Sequence, residues 1–421
     1  MSVDLGKRKA LLEEHLEQYW EMQLRKPNAA TNFRPYVDRW RAMYSVLLRD
    51  ERFLTLAQPV TSKTRLGVSQ YYMRYDGVFC FLTAVLREPS GREIILANPL
   101  RFPYDPKASP RRPYLSQKYE HLFSLHLKTT TKVKNNHGRK DHACQIEEGW
   151  RIKFNQENSR NPIRGFYFHP EGLCNCPVFK RENFIFEFPI KPALHYMLFQ
   201  RKFEPLVKGV KWLLEEAHRK PYAKLKPFEL SELGATGSSS FGDEEDKEDF
   251  DVVYFGTVER LRSIRNFIRD GMHYGTFDPI YPSQKRKPRV YNNEVIVELI
   301  NQRLLMCPFF VLDDHVYDPL DHARIVPIER LHWVKATVVD DSGNMLTPSY
   351  VKVIEMGGYL WNTYGLNGPV PLILMHGFRR GDFYRRDRLI IKKPFVARIH
   401  PVYGDPFIAL ICTAWFDVET I

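Results

Sequence analysis

The sequence predicts an α+β fold in two halves, each with helices followed by a small antiparallel sheet or barrel, joined by an acidic flexible linker. Three observations lead to this reading. Apolar residues recur at helical spacing at the start of each half, short β-forming runs follow them, and the composition changes abruptly in GATGSSSFGDEEDKEDFD, Gly234 to Asp251. A chain of 421 residues exceeds one ordinary core, so several units are expected. These are a helical hairpin over 1–55, a β-rich domain over 56–190, a helical segment over 191–233, the linker over 234–251, and a second α+β domain over 252–421.

The first helix runs from Asp4, a capping residue, to Lys26, with Leu12, Leu16 and Tyr19 on one stripe and Pro27 ending it. A second, Tyr36 to Arg49, places Tyr36, Trp40, Met43, Tyr44 and Leu47 on one face. Val78–Leu86 and Ile94–Leu96 flank Pro89-Ser90-Gly91 and read as a hairpin. Trp150–Phe154, Gly165–Phe168 and Phe184–Phe188 read as further strands. Helical spacing returns from Ala193 to Lys220, where Pro205 divides the run into two helices. Beyond the linker, helices are expected over 258–268 and 293–305. Strands are expected over 332–340, 350–355, 372–375, 389–391, 396–399 and 407–414.

Small polar residues open the linker, and seven carboxylates against Lys247 close it. It stands at −6 in a chain at +12, which leaves +18 on the rest. Such a segment buries too little apolar surface to offset the entropy of ordering it. The remainder is basic and aromatic-rich, which makes a polyanion the natural partner class. No run of apolar residues reaches a membrane span, and the N-terminus gains charge too early for a secretory signal. Six cysteines are few for this length and fit a reducing compartment, so an intracellular protein of nucleus or cytoplasm is expected.

The densest basic cluster is His376 to Lys393, in which Arg379, Arg380, Arg385, Arg386 and Arg388 alternate with Phe378, Phe383 and Tyr384. Guanidinium groups pair with phosphates, and exposed rings stack on unpaired bases, so RNA is the expected ligand, with Phe383 and Tyr384 as stacking candidates. A second cluster, Leu127 to His142, carries Lys132, Lys134, Arg139 and Lys140; an edge strand guarded by lysines explains it equally well. Lys285, Arg286, Lys287 and Arg289 match a nuclear-import tract. The expected function is a non-enzymatic RNA-binding or ribonucleoprotein-assembly protein with protein partners. A protein-interaction scaffold and a metal-dependent nuclease are the alternatives.

The spacing His137-x4-His142-x-Cys144 is repeated in His169-x4-Cys174-x-Cys176. Cys174, Cys176, His142 and Cys144 would supply the four soft or borderline ligands of a structural zinc site; basic-loop histidines and ordinary thiols are the plainer account. In DDHVYDPLDH, Asp313, Asp314, Asp318 and Asp321 lie near His315 and His322, a composition that suits a divalent cation or simply a polar loop. The pair Glu182 and Glu187 in RENFIFEF has the spacing Glu-x4-Glu-Phe, which is similar to the paired-glutamate signature of Schlafen-type endoribonucleases. The resemblance covers one short segment, with Asn183 in place of the family's serine and Pro189 in place of its lysine. The glycine pair expected soon afterwards occurs only downstream at Gly357. In an alternating strand the two glutamates point to opposite faces, so the resemblance assigns no activity here. No phosphate-binding loop, serine elbow or His-Glu-x2-His helix occurs.

Overall fold

The N-terminal stripe folds as expected. In the computed structural model, α1 (Leu5–Leu24) starts at Asp4, whose carboxylate accepts from the Lys7 amide at 3.1 Å. Leu12, Leu16, Tyr19 and Trp20 are buried, and α2 (Arg34–Leu47) lays Val37, Trp40, Tyr44 and Leu47 against them. The Trp20 and Trp40 rings stack at 5.9 Å, and α3 (Glu51–Leu56) follows behind an Asp50 cap. The structure describes residues 4–26, 34–75, 77–101, 167–168, 177–200, 204–241, 249–279, 295–299, 302–375, 383–412 and 418–421.

Three sheets follow, antiparallel or mixed. The first contains β1 (Gln58–Pro59), β2 (Tyr71–Arg74), β3 (Phe79–Arg87), β4 (Glu93–Arg101), β5 (Tyr167–Phe168), β6 (Pro177–Phe179) and β7 (Phe184–Phe188), in the order β1-β7-β2-β3-β4-β6-β5. The helical run after β7 is two helices, α4 (Ile190–Gln200) and α5 (Glu204–Glu215). Pro205 sits in the first turn of α5, where its missing N–H costs nothing.

The second sheet has the order β10-β11-β12-β9-β8, from β8 (Leu233–Ala235), β9 (Asp249–Gly256), β10 (Phe277–Pro279), β11 (Val295–Leu299) and β12 (Gln302–Leu312). Two expectations change here. The helix expected over 293–305 is instead the antiparallel pair β11–β12. Its apolar run fits either period; the β-branched residues of VIVEL favour strand, and pairing of β12 with β9 settles it. The described parts of the expected linker are built into the fold, as β8, a 3-10 turn over Gly237–Phe241, and the start of β9. The glycines there serve close packing. A Cβ on Gly234 would stand 2.2 Å from Ile190 Cγ2, and one on Gly237, at φ +64°, would stand 1.6 Å from an Asp251 carboxylate oxygen. Thr236 is buried and donates from Oγ1 to the Ser69 carbonyl at 2.7 Å. One core cluster therefore joins α1, α2, β7, α4 and α5 to β9, α6 (Val258–His273) and Phe310, crossing the point where composition separates two halves. β9 and β12 are parallel, with α6 in the connection between them.

The third sheet contains β13 (Arg324–Arg330), β14 (Trp333–Asp340), β15 (Ser349–Glu355), β16 (Val370–Leu374), β17 (Arg388–Lys392), β18 (Phe395–His400), β19 (Phe407–Cys412) and β20 (Val418–Thr420). Its order, β13-β18-β19-β16-β15-β14-β17-β20, leaves two edges, so it is an open sheet and not a closed barrel. Only Leu331 and His332 separate β13 from β14, and only Lys393 and Pro394 separate β17 from β18. Pairing of β14 with β17 and β13 with β18 makes a bent ribbon. One side of the sheet buries Val334, Ala336, Val338, Leu389, Ile391 and Val396. On the other, Ile373, Ala397, Ile399, Ala409 and Ile411 pack on Ala84, Leu86 and Leu96 of the first sheet. No helix among the described residues is long and apolar enough to cross a membrane.

Candidate nucleic-acid interface and a carboxyl-lined cavity

Alternation along WVKATVVD decides what β14 shows to solvent. Val334, Ala336 and Val338 point into the core, so Trp333, Lys335 and Thr337 share the outer face. Directly opposite residues of antiparallel strands lie on the same side, and the register extends this face sideways. Trp333 faces Lys392 and Thr337 faces Arg388 on β17, while Thr337 faces Ile354 on β15. Trp333 is 59% exposed, and Lys335 Nζ lies 5.5 Å from its ring centroid. Ile354 and Met356 are exposed beside them. Two of the cations are partly neutralised, Lys392 by Glu419 and Lys352 by Asp340 at 3.5 Å.

The turn from Phe383 to Asp387 stands at the far end of this face, where the Arg386 amide donates to the Val338 carbonyl at 2.8 Å. Arg385, Arg386 and Arg388 are exposed and form no ion pair with a described residue. Phe383 differs from expectation. It is 0% exposed inside the core of the third sheet, which leaves no ring face for a base. Tyr384 is half-buried against α6, with the guanidinium carbons of Arg265 and Arg269 at 5.3 and 5.8 Å from its centroid. Arg265, itself buried, pairs with Asp341 at 2.9 Å, which fixes the loop after β14 to the helix beside Tyr384. Arg379, Arg380, Lys132, Lys134, Arg139 and Lys140 lie outside the described residues, as does the tract over 285–289.

The glycine-rich segment from Gly357 folds as α7 (Tyr359–Tyr364), between left-handed Gly358 and Gly365. Leu360 is buried beneath it, and the hydroxyls of Tyr359 and Tyr364 both donate to Glu329. It is a plug for the curled sheet, although Trp361 remains 53% exposed.

A cavity of about 440 Å³ lies where the first two sheets meet the loop over 313–322. The loop is stitched in place, since the His322 amide donates to the Val85 carbonyl at 2.8 Å and the Asp313 amide to the Gly256 carbonyl at 3.1 Å. Leu66, Val85, Ile190, Phe310 and Leu312 supply apolar wall. Glu187, Asp313, Asp314, Asp318 and Asp321 line the same space, so two acidic motifs far apart in sequence share one site. Glu182 does not join them; it is exposed on a 3-10 turn, 3.8 Å from Lys26. Arg65 occupies Asp314 at 3.0 Å and Asp321 at 3.6 Å. Burial pushes the Glu187 carboxyl up to about 7, against the opposing pull of its Gln70 hydrogen bond. Burial likewise raises Asp318 to about 6, although the Leu320 amide donates to it.

Among the described residues no three His, Cys, Asp or Glu side chains are grouped to hold a metal ion. The proposed zinc ligands Cys174, Cys176, His142 and Cys144 lie outside the described residues, as do His137 and His169, while Cys80, Cys307 and Cys412 are buried. The residues that sequence reasoning passed over are Trp333, Lys335, Arg65, Gln70 and Gln58. The alternation of β14 was a sufficient signal for Trp333 and Lys335; the other three depend on tertiary contact. No family model, curated protein or solved structure matches the chain.

Proposed function

We propose that the protein is a non-enzymatic RNA-binding or ribonucleoprotein-assembly protein, and that single-stranded RNA lies across the outer face of β14, β15 and β17. The observation that carries this reading is the exposed Trp333 ring on the outer strand face, beside Lys335 and in line with Arg388 and the Arg385–Arg386 turn. A ring with a free face accepts any base by stacking, and guanidinium groups without acidic partners among the described residues are available to phosphates. Duplex DNA is the poorer fit, because an exposed tryptophan gains most from bases that are already unstacked.

The test is anisotropy binding of the nuclease-treated full chain to labelled single-stranded RNA at several salt concentrations. Stacking on an aromatic ring contributes roughly 1–3 kcal/mol per base, so Trp333→Ala should weaken binding by about 5- to 150-fold. Changing Arg385, Arg386 and Arg388 together to Ala should reduce the log–log salt slope by about 2, at roughly 0.7 per phosphate contact. Wild-type binding that is absent at low salt, or untouched by both variants, would refute the proposal. A scaffold that recognises an apolar peptide is the second reading, favoured by exposed Ile354, Met356 and Trp361 near the same face. It predicts that Trp333→Ala lowers retention of a protein partner with no change in RNA affinity.

A further inference from the structure

The cavity between the sheets is unused by the RNA reading, and its chemistry is the opposite of the outer face. Among the described residues, five carboxyl side chains line it against two cations, Arg65 and Lys191. Arg65 is already shared between Asp314 and Asp321, and Lys191 Nζ sits 4.6 Å from the centroid of Phe255. Glu187 is different. Its hydrogen bond is to a neutral amide, Gln70 Nε2 at 2.9 Å, and the nearby Arg181 is committed to Glu93 at 2.7 Å.

The backbone register places further polar groups beside it. Gln58 is the direct cross-strand partner of Glu187 at the edge of the first sheet, so its amide shares that face. Both glutamines line the cavity with Glu187. Thr347 also lines the cavity; it is 3% exposed, and its Oγ1 finds no partner among the described residues. The site also lies at the carboxyl ends of the parallel pair β9 and β12, beside Phe255, Leu312 and Asp313, where α/β sheets commonly take ligands. Apolar walls surround these few convergent polar groups, which is the usual constitution of a small-ligand pocket.

We propose that this cavity binds an organic cation, a guanidinium or ammonium group on an apolar stem, whose charge is paired by Glu187 with Gln58 and Gln70 beside it. The acid excess attracts a cation and repels the phosphate of a nucleotide. The apolar walls suit a methylene stem, as lysine and arginine stems pack elsewhere. Free arginine-like amines and arginine side chains of a basic peptide share this chemistry. The proposal stands independently of the RNA face.

Calorimetric titration of the full chain with Gly-Gly-Arg-Gly, with arginine amide, and with the citrulline form of the peptide tests it. Citrulline keeps the shape of arginine and lacks its charge, so its peptide should bind at least tenfold more weakly, about the worth of one charge-assisted hydrogen bond. Glu187→Gln, nearly isosteric, should lose the same factor while its thermal melt shows a folded chain. Lys208→Ala, on α5 and lining neither site, should bind as wild type. Titration of the wild type near pH 7 in two buffers of different ionisation heat should show about half a proton released per ligand, because pairing ionises Glu187. That readout needs no variant. Binding of the peptide alone identifies a protein side chain as the source, and equal binding of arginine amide identifies a free amine. No binding at millimolar concentration, equal citrulline binding, unchanged affinity in Glu187→Gln, or preference for guanosine monophosphate would each overturn the proposal.

Discussion

Glu187 makes the chain's stability depend on pH in a direction opposite to that of a typical paired carboxylate. Its ordinary value is 4.5 and burial raises it to about 7, so the folded state holds the proton more tightly than the unfolded state. Between these two values folding takes up a proton, and stability falls as pH rises. Below about pH 4.5 both states are protonated and the penalty vanishes; above about pH 7 it is complete. Each tenfold difference in proton affinity is about 1.4 kcal/mol, which gives about 3 kcal/mol for full ionisation in a dry site. Cavity water screens the group, and we halve the figure to about 1.5 kcal/mol. Glu187→Gln removes the titration while keeping an amide for Gln70 to meet. The variant should therefore gain stability relative to wild type by about 1.5 kcal/mol between pH 4 and pH 8, read from urea unfolding midpoints. Asp318, raised to about 6, adds its own loss between 3.8 and 6 in both proteins and cancels in the difference. A stability difference that is constant across this range, or that moves in the other direction, would show that Glu187 is solvated and the reasoning wrong.

Other expectations concern the joints of the fold. Gly237→Ala sets a Cβ into the Asp251 carboxylate at a left-handed φ of +64°, so it should cost about 1–3 kcal/mol and lower the melting temperature by several degrees. A flexible linker there would tolerate alanine without change, which makes differential scanning calorimetry decisive. Arg265, 3% exposed, is paired with Asp341; Arg265→Ala strands that carboxylate and should cost about 3–5 kcal/mol, with Tyr384 fluorescence or proteolysis of the 383–387 turn reporting its release from α6. Neutralising Asp243, Glu244, Glu245, Asp246 and Glu248 to their amides should tighten RNA binding at low salt if this acidic stretch competes with the polyanion. Unchanged affinity in the anisotropy assay removes that role.

Local physics made much of the architecture legible. The Asp4 cap, the Leu12–Leu16–Tyr19 stripe, the division at Pro205 and the alternating FIFEF each contain their own reason for the element they form. Three features were not legible for lack of tertiary information. The apolar run over 295–312 satisfies both helical and strand periods, and only pairing of β12 with β9 settles it. The Gly-Ser stretch from Gly234 has the composition of a linker, but its glycines let β8 approach Ile190 and the following 3-10 turn approach Asp251 more closely than a Cβ would allow. Phe383 sits among arginines in sequence and belongs to the core in space, because the side-chain amide of buried Asn344 donates to its carbonyl and accepts from its N–H at 3.4 Å. For the site, DDHVYDPLDH and Glu187 were both visible as carboxylate motifs. Their convergence on one cavity was not, since well over a hundred residues separate them.

The two surfaces differ in sign, and this bears on how they would act together. A cation-rich sheet face and a carboxyl-lined cavity on one chain would attract ligands that also attract each other, namely a polyanion and a basic side chain. Direct pairing of those ligands in solution would leave neither site occupied, so both sites must offer more than charge. On the outer face the proposed additional contribution is stacking on the exposed Trp333 ring. In the cavity it is desolvation, since Glu187 and the apolar walls reward a cation with a stem and give nothing to a hydrated ion. The salt responses should then separate. Exposed arginines on the outer face are screened over a Debye length of about 8 Å at physiological salt, whereas a half-buried pair is screened far less. Raising salt should strip RNA from the β14 face before it releases a cation from the cavity, and a chain whose two activities fell together with salt would contain one site, not two.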